Sequence, residues 1–197
     1  MKNYRGSKHV MLDIETLDTT PSAVVLSIGA VAFTMTHEAV HVHHTMEAHL
    51  EVLPQLLCHD KALIRTVSHD TQEWWAGQSA AAIDALLNPK ASVHPVDAIR
   101  ELSCLVYASE PDYVWCQGAS FDFPILSNMA KAFGMDLAWP FWKERDSRTI
   151  ISGGDVRRSS VGVPGEPHGA LHDCLSQCRA LQETFFERGE PAIIMTA

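Results

Sequence analysis

The stretch Val10-Met11-Leu12-Asp13-Ile14-Glu15-Thr16 decides the fold. It begins as a short buried β-strand and ends in polar residues. Side chains on a strand alternate, so Asp13 and Glu15 point to the same face. Two carboxylates that close repel one another unless a cation lies between them. Downstream, Thr19-Thr20-Pro21-Ser22 reads as a loop, and Val24 to Met35 as a second apolar, β-branched run. Thr36 to Ala39 reads as a turn into Val40 to Leu50, where polar and apolar residues partly alternate. Three such segments with short connections predict an antiparallel meander.

The period then changes. Ser68-His69-Asp70-Thr71-Gln72-Glu73-Trp74-Trp75 looks like a helix start, with a capping residue, then acids, then apolar residues. A helix is expected over Pro95 to Ser109, with Val96, Ile99, Leu102, Leu105 and Val106 on one face. Tyr113-Val114-Trp115-Cys116 reads as a buried strand. Phe123 to Phe133 reads as a helix stopped by Gly134. Residues 141–146 are expected to form a short strand and 147–152 a short helix. A loop is expected from Gly153 to Pro167, and a last helix from about His168 to Arg188. Strands first, then strands alternating with helices, predict an α/β fold with a mixed five-stranded sheet flanked by helices.

Composition sets bounds on function. The 197 residues carry 15 Lys+Arg against 24 Asp+Glu, a net charge of −9. That length suits one domain spanning 1–197, with a core from about 8 to 188. The longest nearly apolar run, Ala23 to Phe33, is eleven residues, too short to span a bilayer. No apolar segment of signal-peptide type follows the cationic start, so a cytoplasmic location is expected. Five cysteines (58, 104, 116, 174 and 178) make a poor disulfide framework and fit reduced thiols. The acidity argues at first sight against a nucleic-acid partner. The charge is uneven, however: residues 1–8 sum to +3, 9–140 to −11 and 141–197 to −1. Cations gather at Lys143, Arg145, Arg148, Arg157 and Arg158.

Chemistry-bearing residues stand where elements end or begin. They are Asp13 and Glu15, then Asp122 after Ser120-Phe121, then His168 and Asp173 within His168-Gly169-Ala170-Leu171-His172-Asp173. On a helix, positions 168 and 173 would lie about 140° apart and could border one cleft. Singly, each has a bland reading as a solvated strand edge, a helix cap or an exposed imidazole. Together, four carboxylates and one imidazole fit hard divalent cations and phosphoryl chemistry.

These three motifs, in this order, resemble the DnaQ-like (RNase T-type, DEDDh) 3′–5′ exonucleases of the ribonuclease-H-like fold. Asp13-Ile14-Glu15-Thr16 matches the first motif, Gly118-Ala119-Ser120-Phe121-Asp122 the second, and His168 through Asp173 the third. A finer likeness, to phage-type exonucleases and the exoribonuclease AS group, lies in Leu26 to Phe33 and Thr71 to Ser79. Gln117-Gly118 departs from the Asn that many relatives carry there.

The resemblance implies two Mg²⁺ or Mn²⁺ ions held by Asp13, Glu15, Asp122 and Asp173, with His168 as the general base for an attacking water. An imidazole, which titrates near neutrality, suits that role. The implied partner is the single-stranded 3′ end, or short 3′ overhang, of DNA or RNA, and the implied product a nucleoside 5′-monophosphate. Two bound divalent cations would bring the net charge from −9 to about −5. By the same resemblance Leu17 and Phe121 pack on terminal bases and Thr16 meets the terminal sugar, although Leu17 and Phe121 read equally as core residues. Ser120 belongs with the substrate-contacting set. One of Trp74 and Trp75 is expected in the core and the other at the cleft, because adjacent helical residues diverge. Arg148, Arg157 and Arg158 are phosphate-contact candidates.

Several points stay open from sequence: DNA against RNA, a homodimer such as several relatives form, a phage-encoded enzyme acting in a host cytoplasm, and work inside a proofreading or RNA-processing complex. A zinc module built from His168, His172, Cys174 and Cys178, or from His41, His43 and His49, is the rival from another class.

Overall fold

The computed structural model describes residues 4, 6–57, 64–151, 163, 165, 168–186 and 192–195. The first three strands are β1 (His9–Thr16), β2 (Val25–Met35) and β3 (Ala39–His49), and they form the antiparallel meander. β4 (Tyr113–Cys116) pairs parallel to β1, and β5 (Glu144–Asp146) parallel to β4. A further strand, β6 (Ala192–Met195), pairs parallel to the free edge of β3. The sheet order is β5-β4-β1-β2-β3-β6, so the expected five strands become six. Ala192-Ile193-Ile194-Met195, which follows Gly189-Glu190-Pro191, is only four residues long, too short a run for periodicity to mark as a strand. Its strand identity comes from the open hydrogen-bonding edge of β3.

The helices are α1 (Leu53–Leu56), α2 (His69–Ala76), α3 (Ala80–Leu87), α4 (Pro95–Ser109), α5 (Asp122–Ala132), α6 (Ser147–Ile151) and α7 (Ala170–Phe186). α1 and α3 were not anticipated. The expected strand over 141–146 divides into a 3-10 turn, Phe141–Lys143, and β5. α2 starts where its cap predicts: the Ser68 hydroxyl accepts from the Thr71 amide. α5 ends beside Gly134, whose φ of +68° a glycine adopts without strain. Most of the 153–167 loop lies outside the described residues. Among the described residues no helix is long and apolar enough to cross a membrane.

Strand alternation sends β1 to two cores. Val10, Leu12 and Ile14 pack with Ala98, Ile99 and Leu102 of α4 and Ile125, Leu126 and Met129 of α5. Met11 faces the other side, with Val31, Phe33, Trp115 and the α7 residues Cys174, Leu175, Cys178 and Leu181. Each fully buried large aliphatic contributes about 1.5–3 kcal/mol. Asp13 and Glu15 share the parity of Met11 and therefore face α7. Gly29, the register partner of Asp13 on β2, lets α7 dock. A Cβ there would lie 2.3 Å from the Ala170 carbonyl carbon.

Polar side chains brace the rim. Gln55, fully buried, donates to the Val25 carbonyl (2.8 Å) and accepts from the Val25 amide (2.9 Å), as a neighbouring strand would. Arg65, also buried, donates to the Ala23 carbonyl and to Asn128 Oδ1 at 2.8 Å.

Candidate active site

Three elements bring their acids to one end of the sheet. β1 supplies Asp13 and Glu15. α7 supplies Asp173 from its first turn, with the Asp173 amide donating to the Gly169 carbonyl at 2.9 Å. One carboxylate oxygen from each of the three lies within 4.8 Å of the others. Asp122 opens α5 directly after β4, through a tight turn in which the Phe121 amide donates to the Gly118 carbonyl (2.7 Å). Asp13, Glu15, Asp122, Asp173 and His168 all line one cavity of about 180 Å³.

His168 is not on the helix. It stands two residues ahead of α7 with φ +64°, so the helical-wheel placement does not hold. Gly169, a poor helix former, separates it from Ala170. The left-handed turn aims the ring at the cleft, edge-on to Trp74 (5.4 Å between centroids) and to Trp75 (6.4 Å).

Burial, and then repulsion from Asp122, Glu15 and Asp173, pushes the Asp13 carboxyl well above the usual carboxylate range. A hydrogen bond from Gln177 opposes this. Burial likewise raises Asp122 to about 7, against the Cys116 thiol, the Asp122 and Ile14 amides and the Arg148 guanidinium. Arg148 donates to the Gln117 carbonyl at 2.8 Å and lines the same cavity. Acids this crowded are held at a cost that a cation relieves. The donor set is all oxygen, which fits Mg²⁺ or Mn²⁺.

A second cavity, of about 510 Å³, shares Ile14, Glu15 and Phe121 with the first. Its other walls include Thr16, Ser68, Asp70, Thr71 and both tryptophans. Trp75 is 3% exposed, with its indole N–H donating to the Thr16 carbonyl (2.9 Å), while Trp74 is 49% exposed. The Thr16 hydroxyl is engaged by the Asp18 carbonyl at 2.7 Å. Leu17 lines neither cavity and packs beside Val24, Leu26, Trp75 and Leu86, which favours its core reading. Ser120 is exposed in the turn before α5 and also lines neither. Arg157 and Arg158 lie outside the described residues.

Sequence reading missed Gln177, Cys116 and the Ser68-Asp70-Thr71 wall. Gln177 had a signal: it falls one helical turn after Asp173. Neither ligand set of the zinc alternative comes together: among the described residues the group of three or more donors close enough to hold an ion is Asp13, Glu15 and Asp173, and it contains none of those histidines or cysteines.

Residues 8–185 match the 3′–5′ exoribonuclease Rv2179c-like domain. The chain belongs to that family. It is a 3′–5′ exonuclease of the DnaQ-like type. A curated relative, the exodeoxyribonuclease of Enterobacteria phage T4, is 26% identical over 191 residues, covering 85% of this chain and 83% of that one. Two solved structures share the fold. Cell-death related nuclease 4 (CRN-4) superposes with a TM-score of 0.53 at 14% identity, over 91% of this chain and 64% of that one. E. coli Exonuclease I, solved with a 5cy-dT13 oligonucleotide, superposes with a TM-score of 0.55 at 12% identity, over 92% of this chain and 42% of that one. The chain thus spans less than two thirds of either structure.

Proposed function

We propose that this exonuclease depends on divalent metal and releases nucleoside 5′-monophosphates from single-stranded 3′ ends or short 3′ overhangs of DNA or RNA. The observation that carries the reading is the convergence of Asp13, Glu15 and Asp173 within 4.8 Å. Asp122 and His168 line the same cavity, and an aromatic-walled space adjoins it.

Asp13, Glu15, Asp122 and Asp173 would hold two Mg²⁺ or Mn²⁺ ions. When bound, such ions acidify water and offset charge building on the phosphate. His168 takes the proton of the attacking water, held in place by its left-handed turn and by the edges of Trp74 and Trp75. Arg148 stands at the cavity wall, where its guanidinium can meet a phosphate oxygen. Trp74 and Phe121 offer apolar faces to the terminal base, a form of contact that tolerates any base. The family is an exoribonuclease family and the T4 relative an exodeoxyribonuclease, so both sugars stay in the reading.

The test is a paired assay on matched 3′- and 5′-labelled RNA and DNA, single- and double-stranded, with Mg²⁺ or Mn²⁺. A ladder receding from the 3′ end with 5′-monophosphate products is expected, fastest on single strands. Internal cuts, or equal rates in excess chelator, overturn the proposal. Asp13→Ala and Asp173→Ala are expected to abolish hydrolysis while leaving circular dichroism unchanged. His168→Ala is expected to lose about 10²–10⁴-fold in rate and to keep Mn²⁺ binding.

A further inference from the structure

Gln177 is fully buried on α7, and its amide nitrogen donates to Asp13 Oδ1 at 2.6 Å. Its own oxygen is buried with no hydrogen-bond partner among the described residues. A buried acceptor left unpaired costs about 1–3 kcal/mol. With Asp13 ionised, the state in which a carboxylate holds a cation, rotating the amide would not remove that cost, because it would set oxygen against oxygen. The observed orientation is therefore locked by Asp13.

The residue type is informative. A lysine or arginine here would neutralise the acidic cluster and compete with a cation. A glutamate would add repulsion to a carboxyl already crowded by Asp122, Glu15 and Asp173. A neutral donor holds one Asp13 oxygen without cancelling its charge, which leaves the other oxygen for a ligand bond. Asp173 and Gln177 lie four residues apart on one helix face, so a single element supplies a ligand and the group that orients another.

We propose that Gln177 is a positioning residue that fixes the rotation of the Asp13 carboxylate and thereby sets the affinity of the site for divalent metal. This rests on the metal-dependent reading above.

The test is Mn²⁺ affinity of the full chain, by calorimetry and by electron paramagnetic resonance of free Mn²⁺. Gln177→Met, similar in length but without a donor, is expected to bind Mn²⁺ about 10–100-fold more weakly than wild type. Gln177→Asn, which keeps the amide and loses reach, is expected to weaken binding as well and serves if the Met variant does not fold. Gln182→Met is the structural control. Gln182 is buried on the same helix, donates to the Thr36 carbonyl at 2.7 Å, and likewise has an unpaired oxygen. Its replacement is expected to move the melting temperature and leave Mn²⁺ affinity unchanged. Wild-type affinity in a folded Gln177 variant overturns the proposal alone. A wild type that binds no Mn²⁺ overturns the metal reading and the proposal with it.

Discussion

His9 is held with both ring nitrogens engaged: Nδ1 accepts from the Trp115 indole at 3.1 Å and Nε2 meets the Tyr4 carbonyl at 3.1 Å. Only a neutral imidazole can accept at one nitrogen and donate at the other. Burial lowers its pKa from 6.5 to about 4, against the raising effects of the Tyr4 bond and of Asp112. The unfolded chain therefore takes up a proton that the folded chain refuses between about pH 6.5 and pH 4. The stability contributed by neutral His9 is present above 6.5 and is lost as pH falls through 4, to a total of about 3 kcal/mol. Urea unfolding at pH 7.5, 5.5 and 4.5 checks this. His9→Phe is expected to lose less stability across that interval than wild type does, and parallel losses would refute the assignment.

At the scale of elements, the approach of α7 to β2 governs the site. A Cβ on Gly29 would meet the Ala170 carbonyl carbon at 2.3 Å and the Leu171 amide nitrogen at 2.5 Å, both main-chain atoms that cannot rotate aside. Gly29→Ala is expected to destabilise the protein by about 1–3 kcal/mol and to push the first turn of α7 outward. Asp173 would move with it, so Mn²⁺ affinity should fall together with the denaturation midpoint. An unchanged affinity in the folded variant would mean that α7 can shift without moving its carboxylate. The boundaries of α4 and β4 are legible in the sequence because Pro95, the apolar face from Ile99 to Val106 and the run 113–116 act within a few residues. β6 is not legible, since it exists by pairing with β3 across a separation of some 150 residues.

The whole molecule carries a net charge of −9, which alone would disfavour a polyanionic partner. Four of its 24 acids line the one cavity that also holds His168, so part of the acidity is local. Bringing these acids together opposes folding, and on the proposed metal-dependent reading a bound cation would offset that cost and couple metal to stability. Mn²⁺ at 100 times its dissociation constant is expected to stabilise the chain by about 2.7 kcal/mol. For a chain of this size that raises the melting temperature by roughly 5–10 °C. Chelator should reverse the rise, and Asp13→Ala should abolish it. A metal-independent melting curve in wild type would contradict the coupling.

The sequence by itself determined the meander, the α/β class and the order of the three acidic motifs, because strand parity, helix caps and turn residues act over neighbouring positions. Asp13 and Glu15 share a face by alternation alone. Tertiary structure decided the rest. It turned His168 off the helix and onto the tryptophan edges, sent Trp75 inward and Trp74 outward, moved Leu17 to the core side, and closed a hydrogen bond between Gln177 and Asp13, 164 residues apart. Those outcomes depend on which faces of distant elements meet rather than on any local run of residues: α7 crosses the sheet at Gly29, while Trp75 and Leu17 pack with Val24, Leu26 and Leu86.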